Sequence, residues 1–156
     1  MKKMEIGRKI INFKAESTNK DEFVLKDQLE GYIVLFFYPK DNTPGCTQEG
    51  LDFSSNLTKF KKLNTRVFGI SRDSINSHNN FKNKYKYKFD LISDSDEYLC
   101  NLFDVIKEKN MYGKKYLGIE RSTFIINPKS ILIKEWRKVK VKDHSDEVLE
   151  YIKNLN

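Results

Sequence analysis

The residues best able to do chemistry lie in one short stretch, Tyr38-Pro39-Lys40-Asp41-Asn42-Thr43-Pro44-Gly45-Cys46-Thr47. Thr43 suits a helix N-cap and Pro44 a first helical residue, because that position's N–H has no intrahelical partner. Cys46 then falls near the third helical position. A thiol there lies among unpaired backbone N–H groups at the positive end of the helix dipole, and both favour its anion. The thiolate is the nucleophilic form of cysteine. For any thiol, a fall in pKa from about 8.5 to about 6 raises the ionised fraction at neutral pH only roughly thirtyfold. Larger acceleration needs donors aimed at charge developing on the substrate.

The elements that must position this stretch follow from hydrophobic period. Residues 33–38 are apolar almost without a break and rich in aromatic and β-branched types, as in a strand covered on both faces. After it, Phe53, Leu57 and Phe60 recur at helical spacing and predict a helix over 45–62. In open α/β sheets, ligands bind where the carboxyl end of a strand hands over to a helix, and Cys46 is at such a junction. Further strands are expected at 13–17, 22–25, 67–71 and 89–92, with helices over 75–85 and 96–103. Asn127-Pro128-Lys129-Ser130 is a turn signal joining strands 122–126 and 131–136 into an antiparallel hairpin. Asp143 or Ser145 could cap a last helix whose stripe is Val148, Leu149 and Ile152. The order predicts an α/β fold compatible with a thioredoxin-like architecture, a central mixed sheet flanked by helices, with an N-terminal strand extension.

A length of 156 residues fits one domain spanning 1–156. The net charge of +7 invites a nucleic-acid reading, yet only five of the 29 basic residues are Arg, the type favoured for base readout. The basic stretches 82–88 and 107–115 read as solvated surface, so no nucleic-acid partner is expected. The longest apolar run, 32–38, is far short of the ~20 residues that span a bilayer, and the N-terminus lacks a secretory apolar stretch. No membrane partner is therefore expected. Cys46 and Cys100 are the two cysteines and form no C-x-x-C pair, which fits a reducing, cytoplasmic setting. His78 and His144 are assigned to solvated faces of surface helices. Neither a Walker loop, nor G-x-G-x-x-G, nor a closely spaced Cys/His pattern occurs, so no metal, flavin or haem is expected.

Pro39-x-x-x-Thr43-x-x-Cys46 resembles the active-site signature of peroxiredoxins. The wider Phe37-Tyr38-Pro39-Lys40-x-x-Thr43-Pro44-Gly45-Cys46-Thr47 is similar to the bacterioferritin comigratory protein, or peroxiredoxin Q, branch. Ser93-Asp94 and Gly118-Ile119-Glu120-Arg121-Ser122-Thr123-Phe124 extend the likeness. The resemblance implies a thiol-dependent peroxidase serving antioxidant defence, acting on hydrogen peroxide and small organic hydroperoxides. Cys46 would be the peroxidatic nucleophile and pass through a sulfenic acid. Thr43 would hydrogen-bond the peroxide, Arg121 would hold the thiolate and the leaving oxygen, and Pro39 would wall the pocket. Glu49 would orient the arginine, with Gly45 in support. The reductant would be a thiol donor, with thioredoxin first and glutaredoxin or glutathione as alternatives, and the chain a monomer or weak dimer.

The chain also departs from the pattern. Many relatives carry a second cysteine five residues after the nucleophile, where this sequence has Leu51, and another branch has it near Lys82. Ile10-Ile11-Asn12-Phe13 replaces the usual Ala-Pro-Asp-Phe. Either Cys100 resolves the sulfenic acid or an outside thiol does so in a one-cysteine cycle. Cys100 could equally be a small buried hydrophobe. A redox sensor or chaperone-like module on the same fold is the non-catalytic alternative, and it would be oxidised once without sustained turnover.

Overall fold

Hydrophobic period and turn residues place most elements where the sequence predicts them. In this computed structural model, which describes residues 2–155, the chain enters through β1 (Lys14–Ser17) and β2 (Phe23–Val24). A 3-10 turn over Leu25–Gln28 leads to β3 (Tyr32–Phe37). Then α1 (Pro44–Lys62), β4 (Thr65–Ser71), α2 (Ile75–Tyr85), β5 (Asp90–Ser93) and α3 (Tyr98–Leu102) alternate. The chain finishes with β6 (Ile106–Met111), β7 (Lys114–Ile119), β8 (Ser122–Ile126), β9 (Leu132–Trp136) and α4 (His144–Lys153).

Seven strands form one mixed sheet in the order β2-β1-β5-β4-β3-β8-β9. β3, β4 and β5 run parallel, while β8 and β9 extend the sheet antiparallel on one side and β1 and β2 on the other. The expected mixed α/β fold with its N-terminal extension is what the chain adopts. Strand side chains alternate between faces, and β3 shows this with every residue from Ile33 to Phe37 buried. Ile33, Leu35 and Phe37 pack with Leu99, Cys100, Phe103 and Phe124. Val34, Phe36 and Tyr38 pack instead with Cys46, Phe53, Phe60, Phe81 and Val148. Two cores result, one on each face.

Three local expectations are corrected. The basic stretch 107–115 is not simply a solvated surface run but most of the β6–β7 hairpin, whose strands pair from Ile106↔Ile119 to Met111↔Lys114. Its turn, Tyr112-Gly113, has both φ angles positive (53° and 79°), as the tightest hairpin turns require. Alternation is masked there because most of its side chains are exposed, apolar ones among them. The helix predicted over 96–103 shortens to Tyr98–Leu102, since the Asp94 carboxylate takes the N–H groups of Leu99 (2.9 Å) and Cys100 (2.7 Å) and fixes its start. Asp143 stands at the N-cap position of α4 but in a left-handed conformation without a side-chain cap bond. The Ser145 hydroxyl donates to the Asp52 carbonyl and accepts from Asn56, docking α4 on α1.

His78 and His144 are both buried, at 0% and 4% exposure, and not on solvated faces. The reason is helical period. His78 lies three residues after Ile75 and three before Phe81, and His144 four before Val148, so each shares its helix's inward stripe. Hydrogen bonds make that burial tolerable: His144 Nε2 meets the Thr123 hydroxyl at 2.8 Å, and its ring meets Phe53 and Trp136 edge-on. Burial pulls the His144 imidazole below its ordinary pKa, against the opposing pull of Glu147.

Candidate active site

The end of β3 aims the chain into the first turn of α1. Pro44 opens that helix, and Thr43 before it is extended (φ −93°, ψ 150°), so the N-cap geometry is as predicted. The Thr43 side chain, however, does not cap: its hydroxyl donates to the Lys40 carbonyl at 2.8 Å. Cys46 is the third helical residue and 2% exposed. The Arg121 side chain, 16% exposed, arrives from the junction of β7 and β8. Its Nη2 donates to Cys46 Sγ at 3.4 Å, and its Nη1 to Glu49 Oε1 at 2.7 Å. A Cβ on Gly45 would lie 3.3 Å from Arg121 Nη2, so the glycine leaves the guanidinium its room. The backbone behind Arg121 is pinned as well, its carbonyl accepting the Val139 N–H at 3.0 Å.

Electrostatics at this cluster are dominated by burial. The Glu49 carboxyl is pushed up to about 7 by desolvation, which the Arg121 charge only partly offsets. Its second oxygen, Oε2, is buried without a hydrogen-bond partner among the described residues. Burial would lower the Arg121 pKa, but Glu49 and then Cys46 outweigh it and raise the value. Lys109 of β6 comes near enough to feel both groups: burial and then Arg121 lower its pKa, while Cys46 acts in the other direction. Tyr87 closes the far side of α1, donating its phenol to the Thr47 carbonyl at 2.9 Å. Its ring leaves no room at Gly50, where a Cβ would stand 2.4 Å from it. Gly50→Ala is therefore expected to cost about 1–3 kcal/mol through overpacking, measured by chemical denaturation.

A guanidinium linking a sulfur to a buried carboxylate can hold a thiolate and stabilise a second developing anion beside it. Residues 6–135 match the AhpC/TSA family. The chain belongs to that family. Among relatives of this AhpC/TSA protein, Peroxiredoxin Bcp of Xanthomonas campestris pv. campestris is 57% identical over 122 residues, covering 78% of this chain and 76% of the relative. Peroxiredoxin Bcp of Bacillus subtilis is 45% identical over 153 residues, 98% of each chain. The crystal structure of a cysteine-to-serine mutant of Xylella fastidiosa PrxQ superposes with a TM-score of 0.93 at 45% identity, covering 97% of each chain. A structure of the Xanthomonas campestris bacterioferritin comigratory protein, concerned with alkyl peroxide reduction, gives 0.87 at 48% identity, covering 92% and 91%. The resemblance to peroxiredoxins of the Bcp and PrxQ type is borne out, and with it the class of the enzyme, a peroxidase that works with a thiol reductant.

In this peroxiredoxin, Cys46, Gly45 and Glu49 of α1 meet Arg121 at one point, with Thr43 one step before that helix. Pro39 is half-buried in the segment leading from β3 to α1. Cys100 is elsewhere. It belongs to the core on the opposite face of the sheet from Cys46 and is 0% exposed. Burial, and next the Asp94 carboxylate, push its thiol well above the ordinary range. Leu51 is 38% exposed, and Lys82 forms an ion pair with Asp90 at 2.7 Å. Sequence reasoning missed Lys109 and Tyr87. A Tyr at the end of an apolar stripe carries no mark of its hydrogen bond, and Lys109 reaches the site only through hairpin pairing. No helix among the described residues is long and apolar enough to cross a membrane.

Proposed function

We propose that Cys46 is the peroxidatic nucleophile of a one-cysteine cycle that reduces hydrogen peroxide and small organic hydroperoxides. The Arg121 bond to Cys46 Sγ at 3.4 Å carries this reading, because it puts a fixed cation against the atom that must stay ionised. The thiolate attacks the terminal oxygen of ROOH. The S–O bond forms as the O–O bond breaks, leaving a sulfenic acid and RO⁻, which takes a proton and departs as ROH. Charge grows on the leaving oxygen, and the guanidinium with neighbouring helix N–H groups is placed to meet it. Thr43 gives its own proton to Lys40, so towards the peroxide its oxygen acts as acceptor of the O–H. Pro39 keeps water from the sulfur. Activity of the Xanthomonas campestris relative on alkyl peroxide supports extending the substrate class beyond hydrogen peroxide.

The reductant is an external thiol, with thioredoxin first and glutaredoxin or glutathione as alternatives. A disulfide needs Cα atoms within about 7 Å, and the sheet lies between the two cysteines' cores. Cys100 also resists ionisation, which makes it a poor attacker of a sulfenic acid. The whole chain, 1–156, acts in this reading as one domain in a reducing compartment such as the cytoplasm, as a monomer or weak dimer.

Intact-mass analysis after one equivalent of hydrogen peroxide tests the cycle. A gain of one oxygen at Cys46 is expected, while loss of two hydrogens would show an internal disulfide and overturn the external route. Cys100→Ser is expected to leave both the first oxidation and turnover with an added thiol within about twofold of the parent, since the swap touches only the far core. Steady-state peroxide consumption reads that outcome, and lost turnover with oxidation intact would make Cys100 the resolver.

A further inference from the structure

Just before the active-site helix, the loop from Pro39 to Thr43 is tied down by groups the chemistry above does not use. Asp41 is 5% exposed, and both its carboxylate oxygens are occupied. Oδ1 accepts the Tyr38 hydroxyl at 2.7 Å, and Oδ2 accepts the Ser77 hydroxyl at 2.8 Å. His78 Nδ1 also stands 2.8 Å from Oδ2. On the other side of the ring, Nε2 lies 3.0 Å from the Ile92 carbonyl of β5. A carbonyl can only accept, so Nε2 carries a proton. At 2.8 Å, Nδ1 and Oδ2 share one proton, and Oδ2 accepts the Ser77 hydroxyl beside it. With that proton on the ring, both ring nitrogens donate and the pair is imidazolium and carboxylate.

The charged groups around it agree. Asp73, at the turn between β4 and α2, accepts the Asp41 backbone N–H at 2.9 Å and the Ser71 hydroxyl at 2.5 Å. Just after β3 the facing group is Tyr38, whose phenol burial and then Asp41 hold well above its ordinary pKa, so it stays a donor. Tyr87, between α2 and β5, is similarly pushed up by burial with a smaller effect from Asp41. Two carboxylates and the neutral Tyr38 phenol thus lie beside the ring. Asp41, Asp73 and His78 offer ligand atoms within 4.8 Å of one another, but these hydrogen bonds already engage all three side chains.

We propose that His78 is a positioning residue for the peroxide step: as an imidazolium paired with Asp41, it locks the loop that sets Pro39 and Thr43 before α1. The proposal rests on the reading of Cys46 as nucleophile. Thr43 hydrogen-bonds within this loop, to Lys40, so its direction depends on where the loop is held. Misplacing such a group by an ångström can cost about a hundredfold in rate. A buried pair of opposite charges fixes that position in one geometry, because breaking it strands a charge away from water.

The test combines ring nitrogen-15 NMR of the full chain with single-turnover oxidation of Cys46 by hydrogen peroxide. At pH 7 the unmodified chain is expected to show His78 protonated on both nitrogens. Asp41→Asn keeps a partner for every atom but neutralises the carboxylate, so His78 should appear as the neutral Nε2–H form. His78→Asn retains a donor towards Asp41 without the charge. Both variants are expected to oxidise about tenfold or more slowly per folded molecule, with loss of exchange protection at the Asp41 amide and unchanged reduction of the sulfenic acid by dithiothreitol. A purely structural role would lower the melting temperature without altering the oxidation rate of the folded fraction. A neutral His78 in the unmodified chain overturns the proposal, as do variants that oxidise at the parental rate. Failure of the parent itself to be oxidised at Cys46 would instead remove the nucleophile assignment, while the NMR result would still decide the state of His78.

Discussion

Cys46→Ser is expected to abolish peroxide consumption, lowering the oxidation rate by at least about 10⁴-fold. A serine hydroxyl keeps its proton at neutral pH, and even a helix start beside a guanidinium does not ionise it to a useful extent. The loss should be chemical and not structural. Cys46 is 2% exposed in a core shared with Phe53, Leu57 and Phe60, and an oxygen in place of sulfur changes little of that packing. Arg121 and Glu49 pair directly with each other and keep that bond in the variant. A peroxide-consumption assay beside a thermal melt separates the two effects. Retained consumption would move the chemistry to Cys100 and remove the active-site assignment.

Arg121→Ala is the second large effect, and it has two parts. Losing the donor that meets the sulfur and the leaving oxygen is expected to slow oxidation by about 10²–10³-fold. Separately, the change leaves Glu49, 1% exposed, without its counter-charge, which in buried pairs costs about 3–5 kcal/mol. The sign of the pH dependence follows from the raised Glu49 pKa, about 7 in the folded chain against an ordinary 4.5. The folded state holds this proton more tightly than the unfolded state. Its contribution to stability is therefore greatest below 4.5 and declines as pH rises to about 7. Without Arg121 the carboxyl rises further, so the decline continues to higher pH. Chemical denaturation at pH 5 and pH 8 should show the larger deficit at pH 8. The double variant Arg121→Ala/Glu49→Gln should recover most of the stability and little of the oxidation rate. Recovery of both would make the arginine a structural residue only.

Much of this protein was legible along the chain because local rules carried it. The run 33–38 reads as a doubly covered strand from composition alone, and Thr43-Pro44 marks a helix start that puts Cys46 in the first turn. Period 3.6 fixed α2 at Ile75–Tyr85 to the residue. The same period contained the burial of His78 and His144, yet composition argued the other way, because an isolated polar side chain on an apolar stripe needs partners that sequence does not display. Those partners lie 21 to 37 residues away in Thr123 and Asp41.

What the sequence alone determined is the chemistry available: one thiol at a helix start, a strand to aim it, and no second cysteine at the positions of Leu51 or Lys82. Only the tertiary structure decided how that chemistry is held. Arg121 reaches Cys46 across 75 residues of chain, and the two cysteines lie in cores on opposite faces of the sheet. The physical reason is range. Capping, period and turn preference act over a few residues and are written locally, whereas a guanidinium's partner or a side chain's face is set by which strands pair and in what register.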